Sequence, residues 1–114
     1  MKKENRKSPR IRIKVKIELS SGRETLINGV CLNIGEGGIF CETKKYLDPY
    51  TRVNLMISLP EGDKSHELSC EGIVIRAEKK RMKNRAAIEF TRVEDNGRKR
   101  IRRYIDDSIS RKEI

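Results

Sequence analysis

Arg10-Ile11-Arg12-Ile13-Lys14-Val15-Lys16-Ile17-Glu18-Leu19 alternates without a break. The apolar residues at 11, 13, 15, 17 and 19 fall on one side of an extended chain, and Arg12, Lys14, Lys16 and Glu18 fall on the other. This is the period of a strand with one face buried and one in water. Working outward, Ser20-Ser21-Gly22-Arg23 reads as a turn, and Thr25 to Leu32 as a second strand with Gly29 as a candidate bulge. A polar turn over 33–38 feeds a third strand, Ile39 to Thr43. Val53, Leu55, Ile57 and Leu59 alternate in a fourth, which ends at Pro60-Glu61-Gly62-Asp63. Glu67 to Glu78 and Arg85 to Thr91 supply the fifth and sixth, joined by a basic hairpin turn at Lys79–Asn84. Six short strands with no helix between them predict an antiparallel barrel or sandwich.

The period changes only near the end, where Ile101, Tyr104, Ile105 and Ile109 form the stripe of an amphipathic helix. Asp95 or Asn96 is placed to cap it. The stripe is expected to plug one end of the barrel, leaving Arg98, Lys99, Arg100, Arg102 and Arg103 to solvent. With 114 residues, the chain fits one domain: a flexible basic arm over 1–9, a barrel over 10–94, and a helix of the same domain over 95–114.

A formal net charge of +10 favours an anionic partner. A general nucleic-acid binder would use that charge, but aromatic residues are only 4% of the chain and Trp is absent, which leaves little to stack bases on. No polynucleotide partner is expected. Cys31, Cys41 and Cys70 are odd in number and lack C-x-x-C spacing, which predicts free thiols without metal or disulfide. The basic start of the chain is not followed by an apolar run, and no stretch could span a bilayer. A cytoplasmic protein with no membrane insertion is expected. His66 has no carboxylate or cysteine partner at useful sequence spacing, and nothing assembles a nucleophile, base and oxyanion donor. No enzyme and no cofactor are predicted.

Two motifs carry the chemistry. Arg6-Lys7-Ser8-Pro9-Arg10 is an R-x-x-x-R on a Pro-stiffened arm, offering two guanidinium forks suited to phosphate and to the acceptor edge of guanine. Asn33-Ile34-Gly35-Glu36-Gly37-Gly38 reads N-x-G-x-x-G. The chain between them is long enough for one hairpin to bring both to the same rim. Read alone, the first motif is a solvated tail, and the second an ordinary turn whose glycines supply positive φ.

Together they resemble the PilZ family, whose signature is R-x-x-x-R followed by [D/N]-x-S-x-x-G. Gly72-Ile73-Val74-Ile75-Arg76, Ala87-Ile88-Glu89-Phe90 and Ile101-Arg102-Arg103-Tyr104-Ile105 follow in the family's order. The resemblance implies a six-stranded antiparallel β-barrel plus one C-terminal amphipathic α-helix, and cyclic di-GMP as ligand. It implies that Arg6 and Arg10 bind phosphate and guanine, that Asn33 meets a guanine edge, and that Gly38 admits close approach of the backbone. Arg76 falls where relatives place a residue that stacks on a base. Gly35 stands at the family's serine and lacks its hydroxyl. The implied role is a stand-alone receptor relaying the signal to a separate, unidentified effector protein; the alternative is a degenerate adaptor that works by protein contacts without nucleotide.

Overall fold

The computed structural model describes residues 9–22 and 26–112. Arg6 and most of the basic arm lie outside them. Six strands run in order: β1 (Arg10–Ser20), β2 (Ile27–Gly35), β3 (Gly38–Thr43), β4 (Arg52–Glu61), β5 (Lys64–Lys80) and β6 (Lys83–Val93). One helix, α1 (Gly97–Lys112), follows. All neighbours are antiparallel, and the sheet closes on itself in the order β1-β2-β3-β6-β5-β4. The barrel closes between β1 and β4 over the pairs Ile17↔Ile57 to Ser20↔Asn54. The apolar side of β1 behaves as its alternation predicts: Ile13, Ile17 and Leu19 are buried in the barrel, with Ile11 and Val15 packed against that core.

The connections are tighter than the composition suggests. Asn33 to Gly35 belong to β2 rather than to a turn, and only Glu36 and Gly37 connect β2 to β3. β5 and β6 meet at Arg81 and Met82, whose φ values of 52° and 67° give a left-handed pair that matches the twist of the flanking strands. Gly62, at φ 67°, serves the β4–β5 turn.

The expected bulge at Gly29 is absent, since Gly29 pairs in register with Thr43. The extra residue is Leu32, between the pairs Cys31↔Cys41 and Asn33↔Phe40. A slip at Ile75 likewise separates the pairs Val74↔Ile88 and Arg76↔Ala87, and the register also shifts between Arg12 and Val15 and between Glu71 and Gly72. In a strand one extra residue turns everything beyond it to the opposite face. In an unbroken register Asn33, two beyond Cys31, and Arg76, two beyond Val74, would face the core; the extra residues Leu32 and Ile75 turn them out.

α1 packs on β1, β2 and β4, burying Ile101 and Ile105, with Tyr104 packed partly against the same cluster. Ile109, the last residue of the predicted stripe, is exposed. Among the described residues no side-chain hydrogen bond of Asp95 or Asn96 caps the helix as expected. Gly97 N–H instead donates to the Glu94 carbonyl at 2.8 Å, and Asn96 turns left-handed at φ 66°. Nor does the basic face simply meet solvent, because Arg98, Arg100 and Arg102 each reach back to the barrel. The three cysteines are free and buried, and burial pushes each thiol up to about 12.

β3 and β6 approach so closely at Gly38 that a Cβ there would overlap the Ile88 carbonyl oxygen, whereas a Cβ on Gly37 would meet open space. Gly38→Ala should therefore lower stability by about 1–3 kcal/mol, the usual cost of overpacking, and Gly37→Ala should be close to neutral. Urea denaturation of the two variants checks this; equal stabilities would contradict it.

Candidate functional site

Strand register builds the site. Reading across the ladder, Arg10, Gly35, Gly38, Glu89 and Ile73 are successive partners on β1, β2, β3, β6 and β5. Arg12, Asn33, Phe40, Ala87 and Arg76 form a second row beside them. Between the rows the wall carries little side chain, because Gly35, Gly38 and Ala87 make the floor. The result is an open depression of about 880 Å³, lined by Arg10, Asn33, Gly35, Glu36, Gly37, Gly38, Phe40, Ile75, Arg76, Ala87 and Glu89. Of the residues predicted for the site, Arg10, Asn33, Gly35, Gly38 and Arg76 are thus brought together; Arg6 lies outside the described residues.

Arg10 lies across β2 with its Nε and Nη2 donating to Asn33 Oδ1 at 3.2 and 2.5 Å. Gly35 makes room for it: a Cβ there would stand 2.9 Å from Arg10 Cγ and 3.3 Å from the Pro9 carbonyl oxygen. None of Gly35, Gly37 and Gly38 has positive φ. These glycines therefore serve close approach, not turn conformation. For Gly38 the close neighbour is β6 itself, so its role is set inside the barrel before any ligand arrives.

The turn at Glu36-Gly37 is held from two sides. Gly37 C=O accepts from Phe90 N–H at 2.9 Å on β6. From α1, Arg98 Nη1 donates to the Glu36 carbonyl at 2.6 Å, while Arg102 forks both Glu36 carboxylate oxygens at 3.0 Å each. Fork pairing of this kind fixes geometry as well as charge. Arg102's hydrogen bonds hold the Glu36 carboxyl below the usual range, helped by the charges of Arg102 and Arg98 and opposed by burial.

Sequence reasoning missed Glu36, Arg98, Arg102, Ile75 and Glu89 as parts of the site. Arg98 and Arg102 are four apart on one helical face, a spacing that marks them as a pair acting together, but their partner is more than sixty positions away and leaves no local signal. Ile75 is exposed because it follows the buried Val74 on the alternating strand, ahead of the slip that turns Arg76 out beside it.

His66 also has a carboxylate partner that sequence spacing did not show. Its Nε2 lies 2.8 Å from Glu94 Oε2, and Glu94 Oε1 accepts from Ser69 N–H at 2.6 Å. This carboxylate ties β5 to the β6–α1 connection. Burial pushes the Glu94 carboxyl up, but the Ser69 N–H, His66 and the charge of Arg100 together outweigh it and hold the group below its ordinary value.

Fold and depression define a β-barrel module with a glycine-floored hollow on its outer wall, rimmed by Arg10 and Arg76 and by Glu36 and Glu89. The sequence matches the PilZ domain family over residues 4–107, and the chain belongs to that family. Among solved structures it is similar to the Bacillus subtilis inhibitor of motility MotI/DgrA, with TM-score 0.82 and 18% identity over 94% of this chain and 53% of that one. The PilZ domain of Escherichia coli YcgR with c-di-GMP gives TM-score 0.73 and 11% identity over 96% of this chain and 95% of that one. YcgR in complex with c-di-GMP gives TM-score 0.73 and 13% identity over 96% and 48%. The chain thus spans about half the length of MotI and of the longer YcgR structure. No curated protein matches the sequence significantly. No helix among the described residues is long and apolar enough to cross a membrane.

A carboxyl held low in the folded state adds stability above its unfolded pKa and loses it as pH falls through the folded value. Glu36→Gln and Glu94→Gln should each be less stable than the parent at pH 7, and each should lose less stability than the parent from about pH 5 downward. Denaturation curves across that range measure both. An acid limb as steep as the parent's in both variants would show that these carboxyls do not set it.

Proposed function

We propose that the depression is a receptor site for cyclic di-GMP and that binding is relayed to a separate effector protein. The observation that carries this reading is the double row, which gathers Arg10, Asn33, Arg76 and two glycines onto one hollow although they come from four different strands. Arg10, joined by Arg6 from the arm, donates charge-assisted hydrogen bonds to phosphate and to the acceptor edge of guanine. Asn33 offers both donors and an acceptor to a base edge, and its Oδ1 is released when Arg10 turns to the ligand. Arg76 and Ile75 supply a cationic plane and an apolar surface on the far rim, where a base can lie. Membership of the PilZ family and the c-di-GMP complexes of YcgR support the choice of ligand. No constellation for catalysis enters this reading, which is of a binding protein of the cytoplasm. The buried free thiols fit that compartment.

A second reading, an adaptor that binds no nucleotide, draws on Gly35 and on the Arg10–Asn33 hydrogen bonds, in which the two ligand groups already satisfy one another. Calorimetric titration decides between them. Cyclic di-GMP should bind in the micromolar range or tighter and GTP should not bind comparably. Arg10→Ala should weaken binding at least about tenfold, the scale of a lost charge-assisted hydrogen bond, and Lys99→Ala on α1 should change little. A flat titration of the parent protein would favour the adaptor; equal losses in the two variants would replace the specific site by general charge.

Because Gly35 is not left-handed, its φ admits serine; the Cβ would press on the stem of the exposed Arg10 at Cγ and approach the Pro9 carbonyl oxygen at 3.3 Å, so the Arg10 side chain must shift. Gly35→Ser should restore a hydroxyl worth about 0.5–1.5 kcal/mol, strengthening cyclic di-GMP binding roughly 2- to 10-fold with an unchanged melting temperature. Weaker binding at unchanged stability would mean that the position of Arg10 matters more than the hydroxyl.

A further inference from the structure

We infer that Glu89 makes this site selective for guanine, by accepting hydrogen bonds from the base's Watson–Crick edge. The inference rests on the cyclic dinucleotide reading above. Two carboxylates line the depression. Glu36 is committed, with both oxygens in the fork of Arg102. Glu89 is exposed and makes no hydrogen bond or ion pair among the described residues.

Its place in the row is the argument. Glu89 stands on β6 directly beside Gly38, and Arg10 stands at the other end beyond Gly35. Three strand spacings, roughly 14 Å, separate the two backbones. The intervening residues are both glycine: the Arg10 side chain itself crosses over Gly35, and Gly38 leaves the floor between it and Glu89 without a side chain. A planar base laid there faces donors at one edge and an acceptor at the other.

An uncommitted carboxylate repels a ligand that carries two anionic phosphodiesters unless it meets donors that offset the repulsion. Guanine has them: the ring N1–H and the exocyclic amine are adjacent donors, a match for the two oxygens of an ionised carboxylate, which only accepts. Adenine presents an unprotonated ring nitrogen at the corresponding position and would set acceptor against acceptor. Such unmet polar groups are where large discrimination comes from. Hypoxanthine keeps N1–H but lacks the amine, so it isolates one of the two bonds.

The experiment titrates the parent protein and Glu89→Gln with cyclic di-GMP, cyclic di-IMP and cyclic di-AMP, with melting temperatures recorded for both. The parent should prefer cyclic di-GMP to cyclic di-IMP by about tenfold and to cyclic di-AMP by more, the size of a charge-assisted hydrogen bond or two. Glu89→Gln should melt as the parent does, bind cyclic di-GMP about tenfold more weakly, and show a smaller preference over cyclic di-IMP. Unchanged or tighter binding of cyclic di-GMP by the variant would overturn the assignment, as would weaker binding with the same preference. A parent that binds none of the three would overturn the receptor reading and this inference with it, whereas a parent that binds with the variant's indifference to the amine would overturn this inference alone.

Discussion

Side chains on a strand alternate faces with a period of two, and a closed barrel gives that phase no slack: every strand is fixed by neighbours on both sides. The hollow depends on breaking the phase in two places. Leu32 inserts one residue in β2 after Cys31, and Ile75 inserts one in β5 after Val74. Cys31 and Ile34, three apart, then both face the core while Asn33 between them faces out. Val74 stays buried, and Arg76 turns outward beside Ala87. A bulge normally re-aims one side chain and twists its strand; here the two bulges deliver polar groups to the same outer wall from opposite sides of the β3–β6 pair.

The floor between them is shaped by a different requirement. Gly38 is where β3 passes against the backbone of β6, and Gly35 is where Arg10 crosses β2. Each glycine answers a contact within the protein, and the absence of side chains above the floor is a by-product that a flat ligand can use. The turn joining them is fastened to β6 through Phe90 and to α1 through Arg98 and Arg102. Movement of this turn on ligand binding would be felt by α1, and Arg100 carries the same helix to Glu61 on β4.

How much of this the sequence disclosed depends on the range of the interaction. β1 was fully legible because its alternation is uninterrupted, and the helix was legible from Ile101 and Ile105. The end of β2 was not: Asn33 and Gly35 beside a single Ile34 look like a turn, and only pairing with β1 and β3 makes them strand. Bulges are hidden for a related reason, since an apolar Leu32 or Ile75 between apolar neighbours does not reveal which face it takes. Arg10, Asn33, Gly35, Gly38 and Arg76 were found through motif order rather than through periodicity. Long-range ion pairs were out of reach altogether, and so His66 appeared unpartnered, Arg98 and Arg102 appeared as solvent charges, and the roles of Glu36 and Glu94 left no mark.

The central claim is spatial: one ligand engages both rows of the outer wall at once. Amide chemical shifts recorded during a cyclic di-GMP titration test it residue by residue. The account predicts that the largest changes fall at Asn33, Gly35, Gly38, Ala87 and Glu89, with smaller changes spreading through Glu36 into the first turns of α1. Changes confined to the Arg81-Met82 turn and the lysines beside it, or to the exposed face of α1, with the two rows silent, would contradict it.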